Sequence, residues 1–422
     1  MLRFASSPTG DMHIGNLREA LFNHLVAQQN KEDLIIRIED TDKEKNIDGK
    51  DKEILDILGL FGIDYSQVIY QSESVRFHSA MALQLMHEKK AFSCFCSDDW
   101  LDKKKEESKV AKTPYLYDDA CRNLPAELVI DNTSPFCIRI TRPDTVIKIN
   151  DKIQGDMSYE PYAMDSFIIL NQLKIPTYDF VCAVDDMLNN ISIVIRDEDH
   201  MSSTPKQEHI RESLSYDKKV EYAHLATISG DDFSVKHLLE EGFLPQAISN
   251  YLISIGNKTP KEIFTVEEAK EWFTLETLSK DPTPFDIETL RSINAEHLKS
   301  LDPKELSRYV GFADIEIGEL ARIYLDEART TKELKAKIAP IFSERVIPEA
   351  LTKSVATMKA IIIAAPYFDK YDDFKNHVMK ESGLEGENFL ISLRLLLTNA
   401  QNGPEIAEIY KYLKNYIGEI IK

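Results

Sequence analysis

The chain has 422 residues, 71 acidic and 51 basic, for a formal net charge of -20, and 43% of it is hydrophobic. That length exceeds one compact core, and the composition excludes a disordered, fibrous or disulfide-scaffolded chain. No apolar stretch approaches the twenty or so residues of a membrane span and no secretory leader is visible, so a cytoplasmic protein is expected.

Residues 2–5 predict a short buried strand, followed by a turn with Pro8 and Gly10. Residues 16–29 then place Leu17, Ala20, Leu21, His24 and Leu25 on one helical face. Residues 34–38 predict a second apolar strand and 75–89 another helix. Strand and helix in alternation imply a parallel sheet with helices on its faces. From about 92 to 162 the pattern breaks into cysteines, a charge run at 103–107 that reads as a solvated helix face, and strand-like pieces at 137–141 and 145–149. Alternation resumes with strand-like runs at 166–170, 180–184 and 191–195, then a helix at 204–214. Beyond Phe233 the pattern is helical, punctuated by Pro260, Pro282, Pro284, Pro303, Pro340 and Pro348.

The chemistry-bearing residues sit at the ends of these elements. His13 and Gly15 occupy a turn between strand and helix, where free backbone amides and the helix dipole favour a phosphate. Arg3, Glu39 and Arg196 stand at carboxyl ends of predicted parallel strands, where open α/β sheets place ligands. Three of the five cysteines, Cys94, Cys96 and Cys121, are spaced to supply most of a tetrahedral metal shell, with three reduced thiols in a small core as the alternative. Cys137 and Cys182 read as buried thiols.

Four segments fit together in order and spacing: Arg3-Phe-Ala-Ser-Ser-Pro-Thr-Gly10 with His13-Ile-Gly-Asn16, Arg37-Ile-Glu-Asp-Thr-Asp42, Pro176-Thr-Tyr178, and Arg196-Asp-Glu-Asp-His-Met-Ser-Ser-Thr-Pro205. Together they resemble the core of the bacterial-type glutamyl-tRNA synthetases, class I enzymes with a HIGH signature. The resemblance implies an α/β fold: a split Rossmann-type parallel-sheet catalytic domain with an α+β insertion, followed by an all-α anticodon-binding half. It implies domains at 1–90 and 164–233 (catalytic), 91–163 (acceptor-binding insertion), 234–300 (helical stem contact) and 301–422 (anticodon binding). It implies ATP and Mg²⁺, L-glutamate and tRNA as partners of a monomer acting in protein biosynthesis. Arg3 and Arg196, helped by Tyr178, would hold the substrate's side-chain carboxylate. Glu39 would hold its ammonium and Ser7 would lie alongside. His13 and Gly15 would be catalytic, with Thr9 and His200 completing the ATP site. Zinc-bearing relatives imply Tyr117 as the fourth ligand beside Cys94, Cys96 and Cys121.

The sequence departs from the family's pattern in three places. Ser6 replaces a proline. Asp197 replaces a glycine, and its carboxylate is expected to point away from the pocket. The lysine-rich loop that neutralises the triphosphate is missing between His224 and Lys236, where Asp231 and Asp232 stand instead. Either the loop is deleted, giving a catalytically weakened paralogue that binds tRNA or a partner, or a mobile segment is missing from this sequence. In the helical half, Asn250-Tyr-Leu, Trp272-Phe, Phe389-Leu-Ile-Ser-Leu-Arg394 and Asn402-Gly-Pro-Glu405 match the family, and Arg345 and the basic cluster at 332–337 are candidate RNA contacts.

Overall fold

The computed structural model describes residues 1–230 and 233–421, so Asp231 and Asp232, where the lysine-rich loop is expected, lie outside the described residues. The chain divides into two compact units, one formed by Met1–Ser234, Leu252–Pro260 and Thr265–Phe285, the other by Val235–Tyr251, Lys261–Phe264 and Asp286–Lys422.

In the first unit, β1 (Leu2–Ser6), β2 (Leu34–Ile38) and β3 (Gln67–Tyr70) form a parallel sheet, with Leu2 opposite Leu34 and Ile35 opposite Gln67. Parallel strands need crossovers, supplied here by α1 (Ile14–Asn30) and α2 (Lys50–Leu60). The helix α3 (Val75–His87) then leads into an antiparallel sheet of β4 (Ala91–Cys94), β5 (Cys137–Ile140) and a later strand, with α4 (Asp98–Ala111) and α5 (Ala126–Ile130) between. A hairpin of β6 (Ile147–Asp151) and β7 (Gly155–Tyr159) turns at Gly155, whose φ of 90° favours glycine. The strand β8 (Ile168–Leu170) completes the antiparallel sheet. After α6 (Tyr178–Leu188), β9 (Ile193–Asp197), α7 (Thr204–Ser213) and β10 (Glu221–Leu225) form a second parallel pair, and β6 joins it through Asp151 and Tyr222.

The two parallel sheets meet where Ser192 N–H donates to Met1 O at 2.9 Å and where Arg3 and Asn23 both donate to Ile195 O. The strand tops of β1, β2 and β9 thereby open on one side of the unit. One expectation fails here: residues 180–184 belong to the helix α6, not to a strand. A five-residue apolar run fits either state, and Pro176 followed by an extended Thr177 starts the helix.

Among the described residues the second unit is helical throughout. Its helices Ile287–Ser300 and Pro303–Tyr309 start at Asp286 and Asp302, each accepting backbone N–H bonds, as an N-cap carboxylate should. Leu290, Leu306, Leu320, Leu334, Val355, Leu393 and Ile409 are wholly buried. The helix Ile315–Ile323 approaches Pro303 so closely that a Cβ at Gly318 would lie 1.6 Å from the Pro303 carbonyl oxygen. Among the described residues no helix is long and apolar enough to cross a membrane.

Candidate active site

A cavity of about 300 Å³ opens at the tops of β1, β2 and β9. Of the residues singled out in the sequence, Arg3, Ser7, Thr9, Glu39, Tyr178, Arg196 and His200 line it, so all five proposed amino-acid contacts come together. Glu39 is set there by its own N–H, which donates to Ser6 O at 2.9 Å. Tyr178 is at the mouth, with its hydroxyl 3.2 Å from His200 Nδ1.

The charges of this cavity are held in two different ways. Arg3 Nε donates to Asp186 Oδ1 at 3.4 Å, and Arg37 Nη1 donates to the same oxygen at 2.5 Å. Burial works against the Asp186 charge, but the flanking guanidiniums outweigh it and hold the carboxyl below its ordinary range. Arg37 also donates to Glu39 Oε1 at 3.0 and 3.3 Å, and the Cys182 thiol donates to that oxygen at 3.4 Å. Glu39 Oε2 keeps no protein partner among the described residues.

Arg196 is 3% exposed, and its three nitrogens meet only neutral groups: Gln207 Oε1 at 3.0 Å, Thr204 Oγ1 at 2.7 Å and His224 Nε2 at 3.3 Å. Burial holds His224 below its ordinary range although Nδ1 sits 2.6 Å from Asp151. Among the described residues Arg196 forms no ion pair. A buried guanidinium without a direct ion-pair partner is costly, and an anionic ligand would remove that cost.

The nucleotide corner is adjacent. His13 and Gly15 are not among the residues lining the cavity; they form the N-terminus of α1, where His13 Nδ1 accepts from Gly15 N–H at 3.1 Å. A Cβ at Gly15 would come within 3.2 Å of that ring nitrogen, so the position favours glycine. Asp197 is also among the lining residues. Its Oδ1 is tied to Asp199 N–H at 3.1 Å and lies 3.4 Å from Thr227 Oγ1, and burial raises its pKa. Among the described residues no lysine lines the cavity.

Residues 1–292 match the family model described as tRNA synthetases class I (E and Q), catalytic domain. The chain belongs to that family. It is 63% identical to glutamate–tRNA ligase 2 of Sulfurimonas denitrificans and 48% identical to glutamate–tRNA ligase 1 of Nitratiruptor sp., with 100% of each chain covered. Both alignments run to 432 positions, ten more than this chain's 422 residues. Among solved structures, glutamate–tRNA ligases from Elizabethkingia meningosepticum (TM-score 0.81, 23% identity) and Elizabethkingia anophelis (0.78, 24%) share the fold over 100% of this chain and 98% of theirs.

The synthetase's cysteine cluster lies where β4 meets β5. Cys94, Cys96 and Cys121 bring their sulfurs within 4.8 Å of one another, and the Tyr117 hydroxyl is 3.4 Å from Cys94 Sγ and 3.5 Å from Cys96 Sγ. These separations suit the shared shell of one tetrahedral ion. The bond with Cys137, reinforced by Tyr117, draws the Cys94 thiol well down, toward the thiolate a metal needs, whereas burial pushes Cys96 up. Arg139 stacks over the Tyr117 ring at 3.9 Å.

Sequence reasoning missed Arg37, Asp186 and Glu19, all buried at or behind the cavity. Arg37 was within reach, since it shares a motif and a strand face with Glu39. In the other unit, Arg345 donates to the carbonyls of Leu396, Ser343, Ile341 and Pro340. Its guanidinium therefore clasps backbone and ties these turns together.

Proposed function

We propose that this aminoacyl-tRNA synthetase is a glutamate–tRNA ligase, activating L-glutamate with ATP and transferring it to the 3′ end of tRNA. The observation that carries this reading is Arg196, a buried cation with only neutral partners, opposite the half-free carboxylate of Glu39. A dicarboxylic amino acid complements that pair: its side-chain carboxylate meets Arg196 and Arg3, with Tyr178 assisting, and its α-ammonium meets Glu39 Oε2. Ser7 lies alongside. Glutamine in the same place would leave guanidinium donors without an acceptor charge, which disfavours it.

In this reading Thr9, His13, Gly15 and His200 hold ATP. The amides at the start of α1 and the donor nitrogen of His13 (Nε2, since Nδ1 accepts) stabilise charge on the reacting phosphate, with Mg²⁺ on the phosphates. The substrate carboxylate attacks the α-phosphate and pyrophosphate leaves. The terminal ribose hydroxyl of tRNA then attacks the adenylate carbonyl and AMP leaves. Catalysis is positioning and charge stabilisation without a covalent enzyme intermediate. Zinc held by Cys94, Cys96, Cys121 and Tyr117 would be structural, clamping the insertion (91–163) that meets the acceptor end. The helical segments 234–300 and 301–422 would follow the stem and read the anticodon. We further propose a cytoplasmic monomer.

The relatives' names favour the ligase over a paralogue that only binds. The missing lysine loop leaves the second reading one testable consequence: slow adenylate formation with intact tRNA binding. ATP-dependent charging of separate tRNA isoacceptors, with glutamate and with glutamine, tests the proposal. Charging of at least one isoacceptor with glutamate supports it; failure to charge any isoacceptor retires it.

A further inference from the structure

Resting on that reading of the cavity, we propose that Glu19 is a further substrate-contacting residue, facing the glutamate side-chain carboxylate and donating a hydrogen bond to it. Glu19 projects from α1 into the same cavity as Arg3 and Arg196 and is only 7% exposed. Among the described residues its carboxyl has no hydrogen-bond or ion-pair partner. Two buried polar groups, Glu19 and Arg196, thus line one cavity without a direct ion-pair partner among the described residues, and each is costly unless a ligand meets it.

The charged and titratable groups around Glu19 are Arg3 on β1, Glu39 after β2, and Arg196 and Asp197 on β9, with Arg37, Tyr178 and His200 on the same walls. Burial dominates and pushes Glu19 up to about 8; Glu39 and Asp197 add to the rise, while Arg3 and Arg196 oppose it. Near neutrality Glu19 is therefore a carboxylic acid with one O–H to donate. A substrate carboxylate accepts that bond. Once ionised, Glu19 repels the glutamate carboxylate and accepts from an amide, so selectivity for glutamate falls as pH rises through about 8. Glutamate binding is thereby coupled to retention of the Glu19 proton.

The test is calorimetric titration of L-glutamate and L-glutamine into the full chain and its Glu19→Gln and Glu19→Ala variants at pH 7 and pH 9. Wild-type affinity for glutamate should weaken about tenfold between the two, as expected for a group of pKa about 8 that must stay protonated. The Gln variant keeps an N–H donor and should lose far less over the same range. Deprotonation of the ligand's own ammonium affects both proteins equally and cancels in the comparison. The Ala variant should bind glutamate several-fold more weakly at pH 7. Because Glu19 ionises only against burial, Glu19→Gln should also raise the Tm at pH 9. Identical pH dependence in wild type and Glu19→Gln would overturn the assignment. Absence of any glutamate binding to the wild type at pH 7 would instead overturn the reading of the cavity on which it rests.

Discussion

The two units differ most in what they bury. Among the described residues, every buried Arg, Asp and Glu lies in the first unit: Arg3, Arg18, Glu19, Arg37, Arg139, Asp151, Asp185, Asp186, Arg196 and Arg211. The buried polar side chains of the second unit are neutral amides, hydroxyls and one histidine, His297, packed among leucines and isoleucines. Burial of ions opposes folding unless they are paired, so their concentration in one unit marks where ligand chemistry has shaped the chain. Within that unit the contrast recurs on a smaller scale. Arg3 and Arg37 share Asp186, and Arg37 also pairs with Glu39, whereas Arg196 waits for a charge from outside.

The largest effect should come from removing that waiting charge. Arg196→Ala is expected to cost about 3 kcal/mol or more in transition-state binding, roughly a hundredfold or more in kcat/KM for glutamate. Binding of tRNA should remain nearly unchanged in a filter assay. Equal loss of both would show Arg196 to be structural and would break the contrast with Arg3.

Asp186→Asn should act on both stability and substrate use. It strands the buried Arg3 and leaves Arg37 with Glu39 alone, for an expected loss of about 3 kcal/mol in unfolding free energy, with a raised KM for glutamate. The sign with pH follows from the depressed pKa: the stabilisation by Asp186 is present above its unfolded value near 3.8 and is lost as pH falls through the folded value. The Tm gap between wild type and Asp186→Asn should therefore shrink below about pH 4. A gap that stays constant on acidification would contradict the pairing.

These two residues also show what was legible in the sequence. Arg3, Glu39 and Arg196 could be read because each lies inside a recognisable string, although Arg3 proves to be the second residue of β1 and not, as expected, its carboxyl end. Asp186 could not, because residues 180–184 looked like a strand and the acid beyond them like a loop. In α6 the same acid turns inward beneath two arginines. Glu19 escaped for a related reason: the apolar stripe of α1 identifies the face packed on the sheet, but says nothing of a cavity between strand tops. The helical half was readable from its prolines, while its packing was not. Gly318 bears no sequence mark, yet any side chain there meets the Pro303 carbonyl.

Gly318→Ala should accordingly destabilise the second unit by about 1–3 kcal/mol, leaving the KM for glutamate unchanged. A parallel rise in KM would mean that the division between the units is not energetic. Smaller still, Arg345→Ala removes hydrogen bonds to backbone carbonyls and should lower stability by about 1–2 kcal/mol. Its affinity for tRNA should match that of the wild type, and a loss of affinity without a fall in Tm would restore it as an RNA contact.

Diffraction from crystals soaked with L-glutamate would test the arrangement most directly. The side-chain carboxylate should lie within about 3.2 Å of the Arg196 guanidinium, with the ammonium on Glu39. A ligand bound the other way round, or one that leaves Arg196 on Gln207, Thr204 and His224 alone, would contradict it.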